Sequence, residues 1–234
     1  MKNWLLILFL LLPINVFAGN GSQQLFGEWN TVVINGKFAK DSPWIYSVEF
    51  SERNSQEKDG NGFDFTQFVN YSGVGYRFTP NHQILTGFWY QYTQPPYSGK
   101  IVQELNSWQQ YDFNDTYSFG KIITRTRLEE RNNISQANAN GPSVRFRQRL
   151  KYEYPFTKEW SGIASEEIFF NLNSVNWGPT QGFDQNRVFV GAGYKFDDIV
   201  KTEFGYMNQY VNRNLKSDFI DHQLSLNLFV NVPD

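Results

Sequence analysis

Residues 144–154 read Val-Arg-Phe-Arg-Gln-Arg-Leu-Lys-Tyr-Glu-Tyr, and their alternation decides the fold class. Val144, Phe146, Leu150, Tyr152 and Tyr154 share one parity, while Arg145, Arg147, Arg149, Lys151 and Glu153 share the other. Successive side chains of a strand point to opposite faces, so this segment has one greasy face and one charged face. The same alternation recurs from Trp44 to the last residues, in short segments broken by Gly, Pro, Asn and Asp. A train of such two-faced strands predicts a closed barrel with lipid outside and a polar interior.

The start of the chain supports that expectation. Lys2 supplies a positive n-region, Leu5 to Leu12 an apolar run, and Val16-Phe17-Ala18 a small-residue cleavage site. This pattern predicts a signal peptide over residues 1–18 and a mature barrel domain over 19–234. The apolar run is too short to cross a bilayer as a helix. Absence of cysteine excludes thiol chemistry, iron–sulfur clusters and cysteine zinc sites. A net charge of −2 argues against a general nucleic-acid binder. Mean hydropathy is only −0.52 while aromatic residues reach 18%. That combination suits a membrane barrel, in which alternate residues meet lipid and rings gather at the interfaces.

Strand-like segments fall near 27–36, 43–53, 63–78, 82–94, 100–111, 117–131, 143–155, 160–173, 184–196, 200–212 and 219–232. Short connections at 79–81, 113–115, 156–158 and 197–198 alternate with longer polar ones at 54–62, 94–99, 132–142, 174–183 and 213–218. Short periplasmic turns and longer extracellular loops have this character. From Trp44 on there are ten strands, with both ends periplasmic. Segment 27–36 then has no obvious place: it lies inside or beneath the barrel, or a partner strand completes twelve. The fold expected is therefore an all-β antiparallel transmembrane barrel of 10–12 strands with an Arg/Glu-rich lumen.

Parity assigns Arg125, Arg127, Glu129, Arg131, Arg145, Arg147, Arg149, Glu167, Arg187 and Glu203 to that lumen, with Glu49, Arg53, Glu104, Lys151 and Glu153. An Arg or Lys on the lipid face would cost about 2–4 kcal/mol at the midplane, so this segregation carries information. Glu130 and Glu166 are the outward exceptions. The inward cations support two functions. One is a structural ion-pair network filling a narrow barrel; the other is a charged constriction that selects anions.

Catalytic constellations are sparse. His82 falls in a turn, and His222 lies on the outward parity near the outer end of the last strand. A barrel lipid hydrolase would need a serine beside it, and Ser217 and Ser225 lack the two-residue spacing. Carboxylates interspersed with Arg are poor candidates for acid–base pairs. No enzyme activity, cofactor or metal is expected.

The run Arg125-Thr-Arg-Leu-Glu-Glu-Arg131 followed by Arg145-Phe-Arg-Gln-Arg-Leu150 resembles a bacterial outer-membrane barrel family, domain of unknown function 2490. So do Glu167-Ile-Phe-Phe-Asn-Leu-Asn173, Phe183-Asp-Gln-Asn-Arg187, Gly191-Ala-Gly-Tyr194 and Gly205-Tyr-Met-Asn-Gln209. The resemblance implies an outer-membrane β-barrel and adds no substrate. The function expected is a small porin-like channel of the bacterial outer membrane for small hydrophilic, including anionic, solutes. Its partners would be membrane lipid and the barrel-assembly machinery. The alternatives are a non-conducting envelope barrel and, less favoured, a lipid hydrolase. A soluble β-sandwich or lipocalin-like barrel is the structural alternative.

Overall fold

The computed structural model describes residues 22–56, 62–213 and 217–233. The expected signal segment 1–18 and cleavage site lie outside the described residues. Eleven strands are present among the described residues: β1 Gln23–Lys37, β2 Trp44–Gln56, β3 Phe63–Thr79, β4 His82–Thr93, β5 Val102–Tyr117, β6 Gly120–Arg131, β7 Ser143–Pro155, β8 Trp160–Asn171, β9 Gly182–Lys195, β10 Val200–Val211 and β11 Phe219–Asn231. Each pairs with its sequence neighbours, and β1 joins β11 to close the barrel.

The closing seam corrects the strand count. Segment 27–36 lies neither inside nor beneath the barrel, and no twelfth strand partners it among the described residues. It is the core of β1, antiparallel to β2 and parallel to β11, with Gln23 opposite Phe219 and Asn35 opposite Asn231. An up-and-down barrel with an odd number of strands must contain one parallel seam. That seam satisfies backbone groups that would otherwise form two free edges. A second correction concerns residues 113–115, which are strand rather than turn. Asn114 and Asp115 pair with Ile123 and Ile122, and the chain reverses at 118–119 before Gly120, whose φ of +130° favours glycine. The turn-forming character of Asn114-Asp115 serves a neighbour instead: the Asp115 carboxylate accepts a 2.9 Å bond from the Asn81 amide.

Burial is inverted relative to a water-soluble protein. Among the described residues, twenty-five polar or charged ones are buried, against twelve hydrophobic ones. Leu224, Phe88, Leu226 and Val190 stand exposed on the outer wall. The soluble alternative required those aliphatics and rings to pack on one another in a core, and they do not. Two outward aromatic bands ring the barrel. The band at the turn end includes the pairs Trp44–Tyr76, Tyr117–Phe119 and Trp160–Tyr194; the band at the loop end includes Phe65–Tyr92 and Phe170–Phe183. Trp160 and Phe170 sit in opposite bands at the two ends of β8. Their spacing is about 34 Å along the strand, or about 26 Å along the axis at a tilt of about 40°.

Outward polar groups between the bands satisfy one another. Glu166 accepts a 2.8 Å bond from the Asn186 amide, and the Thr126 hydroxyl donates to Gln148 at 2.7 Å. Glu130, near the loop end of β6, accepts a 3.2 Å bond from Ser107.

The interior has two unlike sides. Strands β2–β5 contribute an apolar cluster of Ile45, Val69, Tyr71, Leu85, Trp89 and Trp108. Gly73 makes room for it, since a Cβ there would sit 2.5 Å from the Trp108 ring. Strands β6–β9 contribute most of the arginines, whose long side chains reach across the lumen toward those rings.

Candidate functional site

Two cavities divide the lumen, one of about 830 Å³ toward the turn end and one of about 710 Å³ toward the loop end. Four residues line both: Trp29, Glu49, Arg147 and Arg187. The chambers therefore meet at this layer, which acts as a septum of side chains.

Stacked cations and rings build the septum. The Arg53 guanidinium lies 3.3 Å from the centre of the Trp29 ring, and Arg187 lies 4.6 Å from that ring on β1. Arg187 also sits 4.5 Å from Phe169, and Arg147 is at the same distance from Phe169. The result is a row Arg53–Trp29–Arg187–Phe169–Arg147 contributed by β2, β1, β9, β8 and β7. Each cation–π contact is worth about 0.5–2 kcal/mol, more where water is excluded. The Trp29 indole N–H donates to the Ser51 hydroxyl, which fixes the ring across the lumen.

One carboxylate anchors the arginine side. Glu129 is fully buried; its Oε2 accepts from Arg145 Nη2 at 2.6 Å and Nε at 2.8 Å. Its Oε1 accepts from Arg147 at 2.6 Å and from the Tyr71 hydroxyl at 3.2 Å. Two-pronged guanidinium–carboxylate bonding of this kind locks orientation as well as supplying energy. Glu167 Oε1 receives Arg125 at 2.9 Å and Arg147 at 3.0 Å. Arg131 forms two 2.8 Å bonds to Glu104 near the loop end and lies over the Trp177 ring. At the turn side Lys151 meets Glu203 at 2.5 Å, and Lys201 bridges Glu153 at 2.6 Å and Glu203 at 3.1 Å.

The structure thus brings all ten parity-assigned residues to the interior, though not into one site. Arg125, Arg127, Glu129, Arg145, Arg147, Arg149, Glu167 and Arg187 cluster about the septum, while Arg131 lies above it and Glu203 below. Glu104 and Glu203 pair within their own neighbourhoods rather than neutralising the arginine cluster, and Glu49 enters the lumen with no ion pair among the described residues. Missing from that set were Trp29, Phe169 and Tyr71, the rings on which the guanidiniums rest. Phe169 shares parity with Glu167 and Asn171, and that alternation was the available signal. Tyr97 had no such signal. It belongs to the connection 94–101, which folds into the upper chamber. There its hydroxyl bonds the Asp221 carboxylate and receives a 2.9 Å bond from the Gln223 amide. Burial, then the adjacent Asp221 charge, pushes the Tyr97 phenol above its ordinary value. At the turn end Lys195 hydrogen-bonds and pairs with Asp198, holding that carboxyl below its ordinary value.

The histidines are tied to the outer wall. His82 begins β4 and bonds the Tyr111 hydroxyl at 2.7 Å. His222 lies between the Tyr206 hydroxyl at 2.5 Å and the Gln24 side chain at 2.6 Å, stacked on Phe26. Ser225 faces inward, away from it.

An all-β barrel whose inner wall carries this Arg/Glu set is also what sequence comparison finds. The chain belongs to the DUF2490 family. The match, to the family described as "Protein of unknown function (DUF2490)", spans residues 26–219 and so runs from β1 to the first residue of β11. A curated relative, an uncharacterized protein of Methylorubrum extorquens, is 34% identical over 134 residues. That similarity covers 56% of this chain and 55% of the relative, so the chain spans about half the length of the protein it matches. The matched family region includes the septum residues Trp29, Arg53, Arg147, Phe169 and Arg187.

Proposed function

We propose that this DUF2490 member is an integral outer-membrane barrel, exported through its residues 1–18, that conducts small anionic solutes through the septum. The membrane part is supported by the inverted burial and by the two aromatic bands about 26 Å apart, the height of a lipid-facing band. The observation carrying the solute class is the charge imbalance of the lumen. Ten Lys and Arg side chains line the turn-side chamber against six Asp and Glu, and seven against three line the other. Rings of Arg and Lys attract anions and exclude cations in narrow pores.

Conduction requires the cation–ring row to part, because Trp29 and Arg187 stand where the chambers meet. Planar-bilayer recording tests this directly. Wild-type protein should give small, flickering currents whose reversal potential in a salt gradient shifts toward the anion. Trp29→Ala should raise conductance severalfold, and Arg187→Gln should lessen anion preference. A wild-type barrel that is silent and stays silent in Trp29→Ala would overturn channel function. A second function, a non-conducting envelope barrel, is favoured by one feature: the inward fold of connection 94–101, which puts Tyr97 across the upper chamber. Silent recordings from Trp29→Ala would select it.

A further inference from the structure

Resting on that channel reading, we propose that the turn-side face of the septum is a seat for a multiply charged oxyanion of the phosphate class, held by Arg125, Arg149 and Arg187. Strand register sets cations directly against cations here: Arg125 opposes Arg149 and Arg127 opposes Arg147 across β6 and β7. Like charges in directly opposite positions destabilise a sheet unless something neutralises them. Three carboxylates stand amid them: Glu129, spent on Arg145 and Arg147; Asp112, the register partner of Arg125, whose oxygens accept from Gln83 and Gln110; and Glu167. Glu167 is the register partner of both Arg149 and Arg187, yet its bonds go to Arg125 and Arg147 instead. Arg149 and Arg187 consequently have no carboxylate within ion-pairing distance among the described residues.

Their hydrogen-bonding capacity is likewise unspent. The Nε atoms of Arg125, Arg149 and Arg187 are buried with no hydrogen-bond partner among the described residues, and all three side chains line the 830 Å³ chamber. Among the described residues, the one side-chain hydrogen bond of Arg187 is a 3.3 Å bond to Gln185. Buried guanidinium N–H groups left unpaired are costly, more so than neutral donors. Three forked donors, from β6, β7 and β9, face a cavity large enough for a small anion. Planar guanidiniums match the oxygens of phosphate two at a time. A monovalent halide would satisfy neither the charge excess nor the number of donors.

Purified protein in detergent micelles, with folding checked by heat-modifiable migration, should bind inorganic phosphate saturably at one site per barrel in isothermal titration. Potassium chloride at equal ionic strength should not displace it, whereas sulfate should compete. Arg149→Gln and Arg187→Gln should each weaken binding about tenfold to a hundredfold. Lys121→Gln, at the chamber rim, should leave affinity within about twofold. A parallel titration with glycerol 3-phosphate separates the sources: tighter binding than phosphate identifies an ester or headgroup ligand, and weaker binding identifies the free ion. Wild-type protein that shows no saturable phosphate uptake overturns the seat whatever the variants do, as does undiminished affinity in folded Arg149→Gln. Phosphate binding by a barrel that never conducts supports the seat and removes only the channel.

Discussion

Glu129 shows how much a single buried charge organises. It holds Arg145 and Arg147 through three bonds of 2.8 Å or less and touches Tyr71. Glu129→Gln takes from Arg145 and Arg147 their shared and nearest counter-charge, leaving Asp184 at 3.5 Å to the one and Glu167 at 3.0 Å to the other. Removal of one partner from such a buried pair costs about 3–5 kcal/mol. Glu153→Gln, in a wetter position beside Lys201, should cost under about 1 kcal/mol. Urea midpoints of the folded-to-unfolded gel shift compare the two variants, and equal midpoints would refute the anchoring role of Glu129. Parity alone placed these carboxylates inside. Which arginine each one holds depended on side-chain reach across the lumen, and parity is silent on reach.

Among the elements, the connection 94–101, like 172–181 with its Trp177, reaches into the upper chamber, here through Tyr97. Its phenol is held by Asp221, Gln223 and Ser55. Tyr97→Phe removes these bonds while keeping the ring. The connection should then spend more time displaced, seen as faster tryptic cleavage after Lys100 and a longer open time in bilayer recordings. Alkaline pH should act in the same direction. The folded-state pKa is raised, so the stabilisation is complete below the ordinary value of 10.0 and is lost as the pH rises above it. Unchanged cleavage in both conditions would deny the connection its role as a plug. Strands, by contrast, were legible to within a few residues, because alternation of Arg with Phe, Tyr and Leu has the period of a pleated chain. Residues 113–115 misled because Asn and Asp favour turns by local bonding, whereas here the barrel ladder and Asn81 use those groups.

At the scale of the whole molecule, the parallel β1–β11 seam determines the strand number and the position of the N-terminal end of β1 beside the start of β11, at the loop end. Its register gives a sharp test, made clean by the absence of native cysteine. Glu28 stands opposite Leu224, and Ile34 opposite Val230. Cysteine pairs at 28/224 and at 34/230 should both form disulfides in the folded barrel, while 28/230 and 34/224 should not. Crosslinking of the crossed pairs instead would mean that the seam is antiparallel and the strand count even. Parallel pairing is slightly weaker per residue, so amide exchange should also be faster along this seam than along β6–β7.

By itself the sequence determined the all-β class, the closed two-faced wall and the inward set of Arg and Glu. All three follow from a period of two, which every strand states locally and repeats ten times over. Only the tertiary structure decided that β1 closes the barrel in parallel, that a row of guanidiniums and rings parts the lumen into two chambers, and that Arg149 and Arg187 form no ion pair among the described residues. Those depend on which strands meet around the cylinder and how far long side chains extend across it, and such distances between remote residues leave no trace in local alternation.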